Sequence, residues 1–393
     1  MGASHPFTEC PGHLILVGSP ADAEGPVMIH RASSCHAHRG DVRIRDLEPS
    51  FGNLPLGDPV AAGRSCWIGQ AMVGGPLTLK PMDEMAAIEH IQLLLPGAPA
   101  GEVWIGDDAA VVSPSAGPLL LATDLTVVGV HADLELVALD DLGWKALAVN
   151  VSDLAAMGGR PERALVSVAV PAGTDIDLLY SGLAEAARDY ACPVVGGDLA
   201  NADTLVVSVA VTGKVPGGRA VLRSGASAGD ILWVTGPLGA SAAGLSYLRA
   251  ARAKAVDEVT EAGPAVAAAI VAHRRPRARV AEGQAAAAAG ATAMIDVSDG
   301  LGLDLNRLAV ASGVGVALDE VPVADGATMD DALGGGEDYE LVFAAPDVQA
   351  VADAFATAGL RTPIRIGVCT AEPSERRVKG GPLLVTGWQH RFD

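Results

Sequence analysis

Residues 142–158 read Leu-Gly-Trp-Lys-Ala-Leu-Ala-Val-Asn-Val-Ser-Asp-Leu-Ala-Ala-Met-Gly. The spacing predicts a helix over Leu142–Met157, with Asp140 or Asp141 as its N-cap. Apolar residues fall on nearly every face, so the helix is buried between other elements. Asn150 and Asp153 stand three apart on one face of it. Buried polar groups need partners, either a neighbouring loop or a ligand.

Outward from that helix, strands and helices mix. The pattern predicts a helix at Met85–Leu95, a strand at Leu119–Val130, a strand at Ala164–Val170 and a helix at Ile176–Tyr190. Strands follow at Pro193–Val195 and Leu205–Val215. Pro216-Gly217-Gly218 then punctuates the chain. Beyond it the reading gives strand Ile231–Thr235, helices through 241–290, strand Ala293–Val297, helix Leu301–Ser312, strand Val314–Leu318, strand Tyr339–Ala344 and helix Val348–Ala358. Strands near 364–369 and 383–386 end the series. No strict βαβ rhythm runs through it, which favours two domains of mixed sheets with packed helices, α/β and α+β, over one doubly wound sheet. The expected divisions are 1–81, 82–218 and 219–393.

Residues 1–81 differ from the rest. They hold three of the five cysteines and five of the nine histidines, with no sustained apolar periodicity. His30, Cys35, His36 and His38 suggest a metal module, but no second Cys/His pair stands at zinc-finger spacing. The expectation is a poorly ordered N-terminal extension, with Met82 or Met85 as the natural start.

Composition narrows the function. Apolar residues make up 50% of the 393 and charged ones 19%, enough for large cores and wrong for a disordered chain. A formal net charge of −20 argues against nucleic acid or an anionic membrane as partner. Polyanions would therefore be handled through metal ions. The uncharged run Ile231–Leu248 is broken by Pro237 and glycines, so it is not a membrane span. Five cysteines without a CxxC, and no secretion signal, point to a reduced cytoplasmic protein.

The chemistry lies in aspartates beside glycine or other polar residues at the ends of apolar strands. They are Gly106-Asp107-Asp108, Thr123-Asp124, Gly196-Gly197-Asp198, Asp296-Val297-Ser298-Asp299-Gly300 and Gly335-Gly336-Glu337-Asp338. Any one of them also suits a turn or a helix cap, as Asp299 does before Leu301. Together they are like charges that repel unless cations bind. Hard oxygen donors in such numbers favour Mg²⁺, Mn²⁺ or Ca²⁺ over zinc. The chain has no GxxxxGK[ST], no strict GxGxxG after a strand and no HRD or DFG set. An EF-hand is excluded, because Arg307 stands where the loop's bidentate Glu belongs.

In order along the chain, these motifs resemble the thiamine-monophosphate kinase family of the aminoimidazole ribonucleotide synthetase-like ATP-binding superfamily. The stretches are Gly106–Ala109, Trp144–Gly158, Gly196–Asp198, Arg223–Ala226, Val234–Gly236, Ile295–Leu301 and Gly335–Leu341. The likeness spans about residue 83 to the end. It implies a two-domain fold, a homodimer joined through the N-terminal sheets, and ATP-dependent conversion of thiamine monophosphate to thiamine diphosphate with several Mg²⁺ ions. Asp108, Thr123, Asp124, Asp153, Asp198, Asp296 and Asp299 match Mg²⁺ ligands. Gly197, Asp198, Arg223 and Ser298 match ATP contacts. His131, Glu337 and Trp388 match the thiamine phosphate pocket.

Three departures stand out: Ala122 where a hydroxyl is usual, Leu199 where Thr is common, and Ala132-Asp133 after His131 in place of an aromatic. The competing readings are a sister ATP-using enzyme of the superfamily and an inactive metal- or nucleotide-binding homologue. For the former, the sequence lacks the Cys/Lys glycine-rich loop of selenophosphate synthetase and the terminal Cys of the hydrogenase-maturation relative.

Overall fold

The computed structural model describes residues 84–390 apart from 106–108, 115 and 255–262, and upstream of these only four short strands. The chain divides into two compact units, Met1–Leu77 and Thr78–Asp393. In the first, β1 (Leu14–Leu16) pairs antiparallel with β2 (Ile29–Arg31), and β3 (Ala37–His38) with β4 (Asp41–Val42). The rest of the expected extension 1–81 lies outside the described residues, and so do the side chains of its candidate metal module.

The second unit begins with α1 (Glu84–Leu94). A sheet of four strands follows: β5 (Leu119–Val127), β6 (Arg160–Val170), β7 (Val194–Asn201) and β8 (Val206–Lys214), in the order β5-β8-β6-β7. Only β6 and β7 run parallel. Val207, Val209 and Val211 of β8 alternate with more exposed neighbours, as do Ala164, Val166 and Val168 of β6, so one face is core. On that face lies α2 (Leu139–Ala156), with α3 (Ile176–Asp189) packed beside it.

Ala138, not Asp140 or Asp141, stands at the N-cap of α2, and no side chain caps it. Both aspartates fall in the first turn, where the partial positive charge of the helix favours them. Both also pair with Arg275, Asp140 at 2.9 Å.

The second sheet has seven strands: β9 (Ile231–Val234), β10 (Ala293–Asp296), β11 (Gly315–Leu318), β12 (Leu341–Ala345), β13 (Ile364–Thr370), β14 (Arg376–Val378) and β15 (Gly381–Pro382). Its order is β10-β12-β9-β13-β11-β14-β15, and β11–β14 is its parallel pair. Its helices are α4 (Ala240–Lys254), α5 (Pro264–Arg274), α6 (Val280–Ala288), α7 (Leu301–Ser312), α8 (Met329–Gly334) and α9 (Val348–Thr357). The short α8, closed by a Thr328–Asp331 capping box, has too few residues to show a period. The strand expected at 383–386 is absent. Leu383 bonds back to Arg376, and the chain then leaves the sheet to run past the Asp299 loop.

The buried α2 joins the two sheets. Leu142, Leu147 and Leu154 belong to the core of the first sheet. Ala155 and Ala156 pack into a cluster with Trp233, Met294, Phe343 and Phe355 of the second. A helix covered on both sides needs apolar residues all round, as its sequence has.

Candidate functional site

The last turns of α2 hold carboxylates from both sheets. Asn150 Oδ1 accepts the Asp124 N–H at 2.8 Å, and its Nδ2 donates to the Ala146 carbonyl at 2.9 Å. The amide therefore fastens β5 to the helix. Ser152 Oγ donates to Asp296 Oδ2 at 2.7 Å, at the end of β10. Asp153 follows directly on the same helix.

The result is a concentration of negative charge. Burial raises the pKa of Asp153, and Asp296 and Asp124 raise it further, against the pull of Arg223. Asp296 is likewise raised by burial, opposed by the Ser152 hydrogen bond and Arg223. Asp124 is raised by burial and by Asp299, while His131 works the other way. Four expected ligands, Asp124, Asp153, Asp296 and Asp299, thus share one electrostatic neighbourhood, with Arg223 beside it.

Asp299 does not cap α7. The N-cap is Gly300, and Asp304 reaches back from inside the helix to accept the Asp299 and Gly300 N–H groups at 2.8 and 3.2 Å. The Asp299 carboxylate meets Arg307 at 2.5 Å, and Arg307 also holds Asp304 at 2.6 Å. Asp304 is pushed up to about 6, burial being the largest cause.

The Gly335–Leu341 segment splits its three acids among three tasks. Glu337, at φ 58°, points one carboxylate oxygen at Lys145 Nζ (2.7 Å) and the other toward His273 Nδ1 (3.4 Å). Asp338 accepts the Gly239 and Ser241 N–H groups at 2.7 and 3.3 Å, closing the start of α4. Glu340 pairs with Arg279 and takes the Thr235 hydroxyl at 2.5 Å. Asp338 and Glu340 are therefore framework, while Glu337 remains partly open. The Glu337 N–H donates to the Ser298 carbonyl at 2.7 Å. A Cβ on Gly336, at φ 70°, would lie 2.7 Å from that same oxygen, so this turn requires glycine.

His131 faces the same region. Its Nδ1 accepts the Val127 N–H at 3.0 Å, and its Nε2 lies 3.4 Å from His390 Nε2. Burial lowers its pKa and His390 adds to this, against Glu337 and Asp124. The Trp388 ring stands edge-on to His390 at 6.0 Å and remains 52% exposed. The Trp388 backbone N–H donates to the Asp299 carbonyl at 3.0 Å, tying this segment to the carboxylate loop.

Asp108 is outside the described residues. Asp124 and Asp198 are within strands, not at their ends, because β5 and β7 run on past them. Asp124, Val209, Val166 and Gly197 share one row across the sheet, while Leu125, Ser208, Ser167 and Asp198 share the next. Adjacent rows face opposite sides, so Asp198 and Thr123 are on the open face and Asp124 on the helix-covered one. The Thr123 hydroxyl donates to the Val209 carbonyl at 2.9 Å. A Cβ on Gly197 would sit 1.8 Å from the Val166 carbonyl oxygen, so that glycine answers to the β6–β7 approach.

No three of the described His, Cys, Asp or Glu side chains form a closed metal cage. The donor set nevertheless fits a hard divalent cation. Mg²⁺ typically takes only one or two carboxylates and fills its other positions with water and substrate phosphates. Buried carboxylates whose pKa values are raised by burial and by one another are sites where added positive charge is favourable.

Sequence reading missed Lys145, Ser241, His273, Asp304, Arg307 and His390. Lys145 carried a signal, a lone cation inside an apolar helix. His273 and His390 carried none, since Ser241, Glu337 and His131, which they meet, are more than 30 residues distant in sequence.

The model of the AIR synthase related protein N-terminal domain matches residues 106–215, and that of the C-terminal domain matches 227–379. The thiamine-monophosphate kinase of Bacillus subtilis (strain 168) is 39% identical over 275 residues, covering 66% of this chain and 82% of its own length. The crystal structure of thiamine-monophosphate kinase from Stenotrophomonas maltophilia K279a aligns with TM-score 0.64 at 33% identity, over 75% of this chain and 95% of that one. The structure of AaThiL complexed with AMPPCP and TMP aligns with TM-score 0.61 at 33% identity, over 80% of this chain and all of that one.

Proposed function

This chain belongs to the thiamine-monophosphate kinase family, and we propose that it transfers the γ-phosphoryl group of ATP directly to the phosphate of thiamine monophosphate, giving thiamine diphosphate and ADP. The observation that carries the reading is the convergence of Asp124, Asp153, Asp296 and Asp299 on the bridging helix α2, with His131, Glu337 and Trp388 nearby.

The acceptor phosphate has a second pKa of about 6, so its oxygen is ionised near neutral pH and needs no general base. That oxygen attacks Pγ, the bond from Pγ to the ADP oxygen breaks, and ADP leaves with the electron pair. No protein nucleophile takes part, and the protein's task is alignment and charge compensation. Mg²⁺ ions held by Asp124, Asp153, Asp296 and Asp299, with Asp108, Thr123 and Asp198 completing the set, would supply positive charge to the transferring phosphates. Arg223, with Gly197, Asp198 and Ser298, binds ATP. Trp388 offers an exposed ring for stacking on the acceptor's cationic or heteroaromatic part.

We assign nucleotide binding, metal binding and dimerisation to 82–218 and the second α+β domain to 219–393. The open face of the four-stranded sheet carries Leu119, Leu121, Leu125 and Leu165, each 47–71% exposed, beside Thr123 and Asp198. Exposed apolar residues clustered on one sheet face favour a partner, and in this reading a second copy of the chain covers them. No helix among the described residues is long and apolar enough to cross a membrane. Cys192 and Cys369 are free and buried, which suits the reducing cytoplasm.

The test is purified chain with ATP, Mg²⁺ and thiamine monophosphate, with thiamine diphosphate followed by chromatography beside EDTA and Asp299→Asn controls. Metal-dependent product, lost in the variant, is expected. ATP bound without product would overturn the assignment.

A further inference from the structure

Lys145 is a cation inside the bridging helix, only 2% exposed. Apart from the 2.7 Å ion pair with Glu337 Oε1, its Nζ has no hydrogen-bond partner among the described residues. A buried ammonium with unmet donors is costly unless it compensates a charge that the protein needs.

The carboxylate it meets is carried on a constrained backbone. The Glu337 backbone is in the left-handed region, and its N–H is fixed by the Ser298 carbonyl. Its Oε2 lies 3.4 Å from His273 Nδ1, and that nitrogen also meets Ser241 Oγ at 3.1 Å. Burial, with Lys145, Arg249 and Arg274 nearby, pushes the His273 pKa down to about 3, so the imidazole is neutral near pH 7. Lys145 is then the cation that touches Glu337. The Glu337 side chain itself is 29% exposed, and its charge is felt at His131.

We propose that Lys145 is a positioning residue for the acceptor substrate: it holds the Glu337 carboxylate in place, so that Glu337 meets the acceptor as a hydrogen-bond acceptor whose charge the buried ammonium balances. A carboxylate has about four lone-pair sites. Lys145 takes one on Oε1, and the contact with His273 engages Oε2 only loosely. The others are left for N–H or O–H donors of the acceptor. Because the ion pair is nearly neutral, Glu337 selects a donor group and not merely a positive charge.

The proposal rests on the reading of Glu337 as part of the thiamine monophosphate pocket. The experiment is a double-mutant cycle on the full chain: wild type, Lys145→Met, Glu337→Gln and the double variant, with KM for each substrate and kcat measured separately. Each single change is expected to raise the KM for thiamine monophosphate by about tenfold or more, while the KM for ATP stays within about twofold. In the Glu337→Gln background, removing Lys145 should change the acceptor KM by no more than about twofold, since no carboxylate remains to be positioned.

An acceptor KM unchanged in Lys145→Met overturns the proposal, as does a further rise of about tenfold in the double variant or an equal rise in the KM for ATP. If Lys145→Met does not fold, Glu337→Gln against the double variant carries the test alone, because the double variant leaves no charge at this pair and Glu337→Gln still offers its side-chain carbonyl to the Lys145 ammonium. A wild-type chain that binds ATP but makes no thiamine diphosphate would overturn the function reading, and this proposal with it. An active wild type with an uncoupled cycle would overturn the proposal only.

Discussion

In the sequence Asp299 suits either a helix cap or a cation ligand. Its place before α7 suggests a cap, but Asp304 serves the backbone N–H groups instead and leaves the Asp299 carboxylate facing Arg307 and the acid cluster. Asp299→Asn keeps the shape and removes the charge. It should lower kcat/KM by about a hundredfold or more, several kcal/mol of transition-state stabilisation, with little change in thermal midpoint. Asp338 has the opposite profile, structural and titrating. Burial pushes it up to about 7, against the helix-start N–H groups that bind it. A folded-state pKa above the unfolded one stabilises most at low pH, and the contribution fades as pH rises through the folded value. The metal-free chain should therefore melt lower at pH 8 than at pH 6, and Asp338→Asn should narrow that difference in differential scanning fluorimetry. An unchanged difference would mean that Asp338 is not a source of it.

Among the elements, α2 and β7 are the instructive pair. The apolar character of α2 announced its burial, and three polar residues of its last turns, Asn150, Ser152 and Asp153, organise the acid cluster. β7 was expected to stop before Gly196-Gly197-Asp198 and instead continues to Asn201. Local preference argued for a turn, and parallel pairing with β6 overrode it. Gly197 is there because β6 approaches too closely for a side chain. Gly197→Ala should destabilise the chain by about 1–3 kcal/mol, read as a lower urea midpoint, because the Val166 backbone cannot move away cheaply. If stability holds and only the KM for ATP rises, nucleotide contact and not strand packing is the reason for the glycine.

For the molecule as a whole, the open sheet face decides how much of the expected ligand set one chain can assemble. Thr123 and Asp198 stand on that face, across the sheet from Asp124. Leu121→Asp, at a position 71% exposed, costs a lone chain almost nothing. In a dimer built on this face it buries a charge. The expected outcome is a shift from dimer to monomer in sedimentation, with activity falling alongside. An unchanged sedimentation coefficient would mean that this face carries no dimer contact.

Much of this was legible without coordinates. Periodicity set most of the elements, and α7 was read at its observed bounds, Leu301–Ser312, because Gly300 and Ser312-Gly313 bracket a clean apolar repeat. The motif residues were legible because each is a short local pattern of acid and glycine. What remained hidden is long-range. Lys145 meets Glu337, His273 meets Ser241 and Glu337, and His131 meets His390 only after two sheets have folded against one helix. The division of labour among Glu337, Asp338 and Glu340 was hidden for the same reason: the three acids are adjacent in sequence, and only their packing neighbours tell them apart. Sequence carries the period and chemistry of each segment, whereas burial and charge compensation arise from contacts between segments, and those exist only in the folded chain.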